Sequence, residues 1–128
     1  MTVLGFTTVT SLIKEQSEAV KAKGLESFGV SVIDDAEGKH DAIGSSNAQL
    51  HLFMQMKRGN ITHMLFQTSE QAEVFFKNIE TYYGKEKADK VTKDIVYISL
   101  EEKVDALDSR GLTYETKTSF EEAISSLV

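Results

Sequence analysis

The sequence predicts a single α+β domain, in which helices pack on a mixed, mostly antiparallel sheet. Three observations lead to this prediction. Residues 50–68 alternate around a glycine-containing turn, the early predicted strands are joined by turns, and the later ones are joined by helices. The predicted element order is β-α-β-(β)-β-β-α-β-α-β-α, which gives a sheet of about five to seven strands.

Length and composition are typical of one folded domain. The chain has 128 residues, of which 41% are hydrophobic, and it contains no cysteine and no proline. A chain of this size can bury a core without disulfides. Its lack of cysteine excludes disulfides, thiolate metal sites and a cysteine nucleophile. We find no repeat, linker or low-complexity segment, so residues 1–128 are predicted to form one domain.

A strand and then a helix are predicted at the start of the chain. Residues 3–9 are rich in β-branched and aromatic side chains, which favour a strand. Thr10 or Ser11 can cap a helix that runs to about residue 23, and Gly24 can end it.

A half-buried strand is predicted at 28–33, where apolar residues alternate with Gly29 and Ser31. The acidic turn 34–41 follows and leads to a short strand at 42–44. The spacing of oxygen-bearing side chains in this turn does not match a calcium-binding EF-hand loop, so a solvated turn is predicted.

The stretch 50–68 is predicted to form the β-hairpin around which the sheet is organised. Apolar side chains alternate through 50–57, and Arg58-Gly59-Asn60 provides a turn. A three-residue turn pairs 50–57 with 61–68 and buries one apolar face. A two-residue turn shifts the register by one residue and brings His63 onto that face. We prefer the three-residue turn because it buries more apolar surface.

Helix signals are clearest directly after this hairpin. Thr68 and Gln71 have the spacing of a capping box, apolar residues then recur every three to four positions, and Gly84 can end the helix.

The last third of the chain is predicted to contain two strands and two helices. Residues 94–100 are apolar on both faces, which predicts a buried central strand. Ser99 and Glu102 form a second capping box before a predicted helix at 101–110, and the next strand is 112–116. This connection is close to the minimum length of a βαβ crossover, so the two strands can run parallel. A last helix begins near residue 118.

Charge favours a protein partner over a nucleic acid. The net charge is −6 at pH 7, and such a chain repels a phosphate backbone. Lysines in the segment 85–93 lie near Tyr82 and Tyr83, but Glu86 and Asp89 interrupt them. We therefore interpret this basic segment as a solvated surface rather than a nucleic-acid site.

We expect a non-enzymatic protein that acts through protein–protein interaction, either as an inhibitor, immunity-type or regulatory protein bound to a basic partner, or as a homodimer. The candidate partner-binding residues are the acidic Glu101, Glu102, Asp105 and Asp108 and the apolar Phe53, Ile61 and Leu65 on the second face of the hairpin.

The alternative prediction is a small-molecule-binding protein or small enzyme with a pocket between the sheet and the helices. The polar groups of that pocket are predicted to be His51, His63, Tyr82 and Tyr97. The preferred register separates the two histidines too far for a shared metal ion, and no catalytic or cofactor-binding motif occurs. We therefore predict neither metal nor cofactor.

A cytoplasmic location is expected, with no membrane partner. No segment of the sequence approaches the length of an apolar membrane span, and the first residues lack the pattern of a secretory signal.

Overall fold

The computed structural model describes residues 2–34, 39–40 and 47–128. Five strands of this part form one sheet: β1 (Val3–Thr8), β2 (Glu26–Ser31), β5 (His63–Phe66), β6 (Val96–Ser99) and β7 (Tyr114–Thr116). Outside this sheet, the two-residue strands β3 (Ile33–Asp34) and β4 (Lys39–His40) pair with each other in antiparallel orientation.

Six α-helices occur in the same described ranges. They are α1 (Ile13–Ala22), α2 (Asn47–Lys57), α3 (Ser69–Tyr83), α4 (Lys85–Thr92), α5 (Asp105–Asp108) and α6 (Phe120–Ser125). A short 3-10 turn, Thr10–Leu12, leads from β1 into α1.

The five-stranded sheet is entirely parallel, so the predicted mixed, mostly antiparallel sheet is wrong. Its strand order is β2-β1-β5-β6-β7, and each neighbouring pair runs in the same direction. From β1 the chain first moves outward to β2 and then returns across β1 to β5. This reversal of direction is the switch point of a doubly wound α/β sheet.

The error lies in the predicted hairpin, because residues 47–57 form helix α2 instead of a strand. Gln49, Leu52, Phe53 and Met56 are buried in α2, whereas the side chain of Met54 is 42% exposed. The buried residues have the i, i+3, i+4, i+7 spacing of a helix face, which coexists here with the alternating pattern. Residues 63–66 accordingly pair with β1 rather than with the preceding segment.

The helix predicted after this segment is confirmed. The Thr68 hydroxyl accepts a hydrogen bond of 3.0 Å from the Gln71 backbone N–H, and Gly84 follows α3 with a φ of 87°. The predicted parallel pairing of the last two strands is also confirmed, since Tyr97 aligns with Tyr114 in β6 and β7.

The helix predicted at 101–110 is much shorter in the structure, where it spans Asp105–Asp108. Ser99 does not cap it. The Ser99 hydroxyl instead donates to the Glu101 carbonyl at 2.7 Å and accepts from the Glu101 N–H at 2.9 Å, which closes a local turn. The predicted strand at 42–44 lies outside the described residues.

Helices cover both faces of the sheet. Helices α2 to α5 pack on one face around Phe66, Phe75 and Tyr97, and α1 and α6 pack on the other around Phe6 and Ile98. Because side chains alternate along a strand, each central strand contributes to both cores. None of the helices in the described part of the chain combines the length and the apolar character needed to cross a bilayer.

Candidate functional site

The switch point places the carboxyl ends of β1 and β5 side by side, and the structure concentrates polar side chains there. Helix α1 follows β1 onto one face of the sheet, and α3 follows β5 onto the other. The two connections therefore leave this edge on opposite faces of the sheet. In open parallel sheets, a ligand usually binds at the carboxyl edge where two such connections diverge.

On the α3 side, Thr7 and Gln71 form the centre of the site. The Thr7 hydroxyl donates a 2.8 Å hydrogen bond to Oε1 of Gln71, and both side chains are buried. The capping turn at Thr68 fixes the first turn of α3 and so positions Gln71 above the end of β1. This contact joins the end of β1 to α3, the helix that follows β5.

On the α1 side, two glutamines pair across the edge. Nε2 of Gln67 donates to Oε1 of Gln16 at 2.8 Å, and Nε2 of Gln16 donates back at 3.2 Å. Nε2 of Gln67 also donates to the Thr7 carbonyl at 3.0 Å. Nearby, the Thr10 hydroxyl donates to the Ser31 hydroxyl at 3.1 Å, which links the start of α1 to the end of β2.

The Thr8 hydroxyl lies among these groups, and no described residue forms a hydrogen bond with it. Thr8 is 1% exposed, and within the described residues no donor or acceptor reaches its Oγ1. It aligns with Ser31 of β2, and the pairing of Phe6 with Leu65 places Gln67 beside it on the other flank. Buried hydroxyls are normally hydrogen-bonded, so an unpaired one at this edge needs an explanation.

We refer to the side chains at this edge as the polar cluster; they are Thr7, Thr8, Thr10, Gln16, Ser31, Gln67 and Gln71. Buried amides extend this cluster beneath α2 and α3. Nδ2 of Asn78 donates to Oε1 of Gln49 at 2.9 Å, and Nε2 of Gln49 lies 3.5 Å from the Ser31 carbonyl. Gln49 is 1% exposed and Asn78 is 8% exposed. The end of β2 is therefore connected by polar groups to the middle of α3, within an otherwise apolar layer.

The amino end of α3 is already neutralised by the protein itself. The Glu101 carboxylate accepts a hydrogen bond from the Ser69 N–H, the first residue of α3. A carboxylate at this position is stabilised by the helix dipole and by an otherwise unpaired N–H. In the described part of the chain, the other side chains that bond to one another here carry hydroxyls and amides, so this cluster is electrically neutral apart from Glu101.

A metal ion is not expected at this cluster. Among the described residues, no three histidine, aspartate or glutamate side chains come together in a way that would hold one. Neutral hydroxyl and amide groups bind polar organic groups through hydrogen bonds, and each provides both a donor and an acceptor.

The predicted acidic residues lie on the surface. Glu101, Glu102, Asp105 and Asp108 are all exposed, in the loop after β6 and in α5. Asp105 is paired with Lys103 at 3.6 Å. Apart from Glu101, these carboxylates therefore lie outside the polar cluster.

Arg110 holds the acidic segment, residues 101–108, against α3. Its guanidinium donates to Oε2 of Glu80 at 2.7 and 3.0 Å and lies 4.5 Å from the ring centroid of Phe76. The acidic segment is thus fixed on the face of the sheet covered by α2 to α5.

The predicted apolar docking face does not exist as a surface. Phe53, Ile61 and Leu65 are 0%, 4% and 0% exposed, because helices cover both faces of the sheet. Phe53 and Ile61 belong to the core beneath α2 to α5, whereas Leu65 belongs to the opposite core. The hairpin that would have presented all three on one exposed face is absent.

The predicted alternative pocket is not assembled either. His51 is exposed on α2 with its ring 5.2 Å from that of Phe28, and Tyr82 is exposed on α3. His63 and Tyr97 point to opposite faces of the sheet, since His63 shares the face of Leu65.

Two groups of the predicted pocket have shifted pKa values with structural causes. Burial lowers the pKa of His63, and the Glu115 carboxylate partly opposes this. Burial raises the pKa of Tyr97, whose hydroxyl donates to the Thr92 carbonyl at 2.7 Å. Tyr97 is therefore a satisfied core residue.

Comparison with known proteins gives no independent assignment. No protein-family model matches the sequence, and no curated protein is significantly similar to it.

The residues of the polar cluster were not predicted as a site, although the sequence carries a signal for them. Thr7 and Thr8 lie near the end of the strand predicted at 3–9, and Gln67 lies near the end of the strand predicted at 61–68. Polar residues that follow buried strands meet at one edge when the strands are parallel. Because the sheet was predicted to be mostly antiparallel, Thr7, Thr8 and Gln67 were not expected to meet at one edge.

Because the Thr8 hydroxyl has no partner among the described residues, its removal should change stability in an unusual direction. Thr8→Val should raise the free energy of unfolding by about 1 kcal/mol, because it removes a buried polar group without a partner. The matched variant Thr7→Val should lower it by about 1–2 kcal/mol, because Oε1 of Gln71 loses its donor. Urea denaturation of both variants measures this difference. An equal loss of stability in the two variants would show that Thr8 is paired in solution.

Proposed function

We propose that this protein binds a small, uncharged polar molecule at the carboxyl edge of its sheet, between β1 and β5. The observation that carries this proposal is the buried hydroxyl of Thr8, which lies among the hydroxyls and amides of the switch point and has no hydrogen-bond partner within the described residues. A ligand that supplies a hydrogen-bond partner removes the cost of this unpaired group, and that gain is available only in the bound state.

The chemistry of the edge supports an uncharged ligand. The side chains beside Thr8 are Ser31 and Gln67, and the Gln67 amide is shared with Gln16. The Glu101 carboxylate already occupies the amino end of α3, so an added anion would be repelled by it. Sugars, polyols, amides and nucleosides carry the donors and acceptors that match hydroxyl and amide side chains.

The experiment is a binding screen against a panel of ribose, glucose, glycerol, nicotinamide, adenosine and uridine. We expect one of these to raise the melting temperature in a saturable manner, because a ligand of the folded state stabilises it by mass action. Isothermal titration then gives its affinity for the wild type, for Thr8→Val and for Ser27→Ala, a control in the amino half of β2.

The affinity of Thr8→Val should fall about tenfold, the equivalent of one lost hydrogen bond. The affinity of Ser27→Ala should be unchanged. The proposal fails if no compound of the panel binds, or if Thr8→Val binds the active compound as tightly as the wild type does.

A second candidate function is the docking of a basic protein on the acidic segment 101–108. The observation in its favour is that Glu102, Asp105 and Asp108 are all exposed within one short segment that Arg110 ties to α3. Exposed carboxylates of one sign steer a cationic partner and add to its association rate.

Charge reversal tests this second function with a decalysine peptide as the probe. The double variant Glu102→Lys/Asp105→Lys should weaken binding by about tenfold at low salt, because two attractive contacts become repulsive. The control Glu15→Lys/Glu18→Lys makes the same change in net charge on the exposed side of α1. Equal weakening by both variants in fluorescence anisotropy would show a response to net charge alone and would contradict a site at 101–108.

A further inference from the structure

The amino edge of the sheet carries a second candidate site, a groove between α2, α4 and the entry to β5 and β6. Its volume is about 410 Å³, within the range of small-molecule pockets. Its apolar floor is formed by Met56, Ile61, Val91 and Ile95. Its rim carries Lys57, Lys87 and Lys90. The groove therefore combines an apolar floor with a cationic rim.

The lysines of the rim come from two separate helices. Lys57 ends α2, and Lys87 lies in the first turn of α4, so only the tertiary fold brings them together. Both lysines line the groove, and the Lys57 side chain lowers the pKa of Lys87. Nζ of Lys87 also lies 4.8 Å from the ring centroid of Tyr83, which fixes its position over an aromatic face.

The other two lysines of α4, near this groove, are paired with carboxylates. Lys85 pairs with Asp89 at 2.8 Å and with Glu80 at 3.7 Å, and Lys90 pairs with Glu86 at 3.7 Å. In the described part of the chain, Lys57 and Lys87 form no such ion pair, although Asp94 also lines the groove. Two adjacent ammonium groups repel each other, and an anion between them reverses this cost.

We propose that this groove binds a small organic anion, with the anionic head between Lys57 and Lys87 and an apolar body on the floor formed by Met56, Ile61, Val91 and Ile95. The site is independent of the polar cluster at the carboxyl edge, because it lies at the opposite end of the strands. The overall charge of −6 repels anions in general, so a bound anion requires a local arrangement of this kind.

The first test uses 8-anilinonaphthalene-1-sulfonate, an organic anion whose fluorescence rises in an apolar environment. We expect saturable binding of one molecule per chain. The variant Lys57→Glu/Lys87→Glu should weaken it by about tenfold or more, because two attractive contacts become repulsive. The control variant Lys14→Glu/Lys103→Glu makes the same change in net charge at exposed positions outside the groove and should bind as the wild type does.

The second test defines the ligand class by competition. Hexyl phosphate and inorganic phosphate carry the same kind of head, but only hexyl phosphate has an apolar body. Hexyl phosphate should displace the probe at a concentration about tenfold lower, because its methylene groups become buried on the floor.

Three results would overturn the proposal: no saturable binding of the probe, equal weakening by the two double variants, or equal competition by the two phosphates. Thermal melting of both variants confirms that they remain folded. A failure here leaves the Thr8 experiments unaffected, because their ligands and variants are different.

Discussion

The architecture depends on the close packing of α2 against the middle of the sheet at Gly5. A Cβ atom at Gly5 would lie 2.8 Å from Sδ of Met64 in β5 and 3.1 Å from Cδ1 of Leu52 in α2, so both side chains would have to shift to admit a larger residue. Helix α2 carries the chain from β2 back across β1 to β5, and this crossover makes the β1–β5 pairing parallel. The parallel pairing in turn brings Thr7, Thr8 and Gln67 to one edge.

Local structure was largely predictable from the sequence, whereas the parallel direction of the strands was predicted only for β6 and β7. The helix at 69–83 has an apolar stripe, a capping threonine and a terminal glycine, and all three signals agree. The segment 50–57 carries two periodicities at once. Leucine, methionine, glutamine and lysine favour a helix by intrinsic propensity, and the segment has no β-branched residue, which was the available signal against a strand. Because this segment was assigned as a strand, the predicted topology of the whole sheet was wrong.

For the candidate sites too, local features were predictable from the sequence and features that depend on the topology were not. The exposure of Glu102, Asp105 and Asp108 agrees with the predicted acidic surface, because charged residues in short polar segments remain in water. The polar cluster at the carboxyl edge and the groove between α2 and α4 each join residues that are far apart in the sequence. Thr7 meets Gln71 in the first, and Lys57 lies with Lys87 in the second. Such groupings depend on topology, so sequence periodicity alone cannot give them. The same fold places neutral polar groups at one end of the strands and, at the other, Lys57 and Lys87, which form no ion pair within the described residues.

The most direct test of this account is the strand pairing itself, measured by NMR on the isotope-labelled protein. We predict sequential amide–amide contacts of a helix through residues 47–57, and cross-strand contacts that align Leu4 with His63 and Phe6 with Leu65. Both candidate sites rest on this arrangement. Strong contacts between the α-protons of Met54 and Met64 would instead show an antiparallel hairpin, and they would contradict the parallel sheet and both sites built on it.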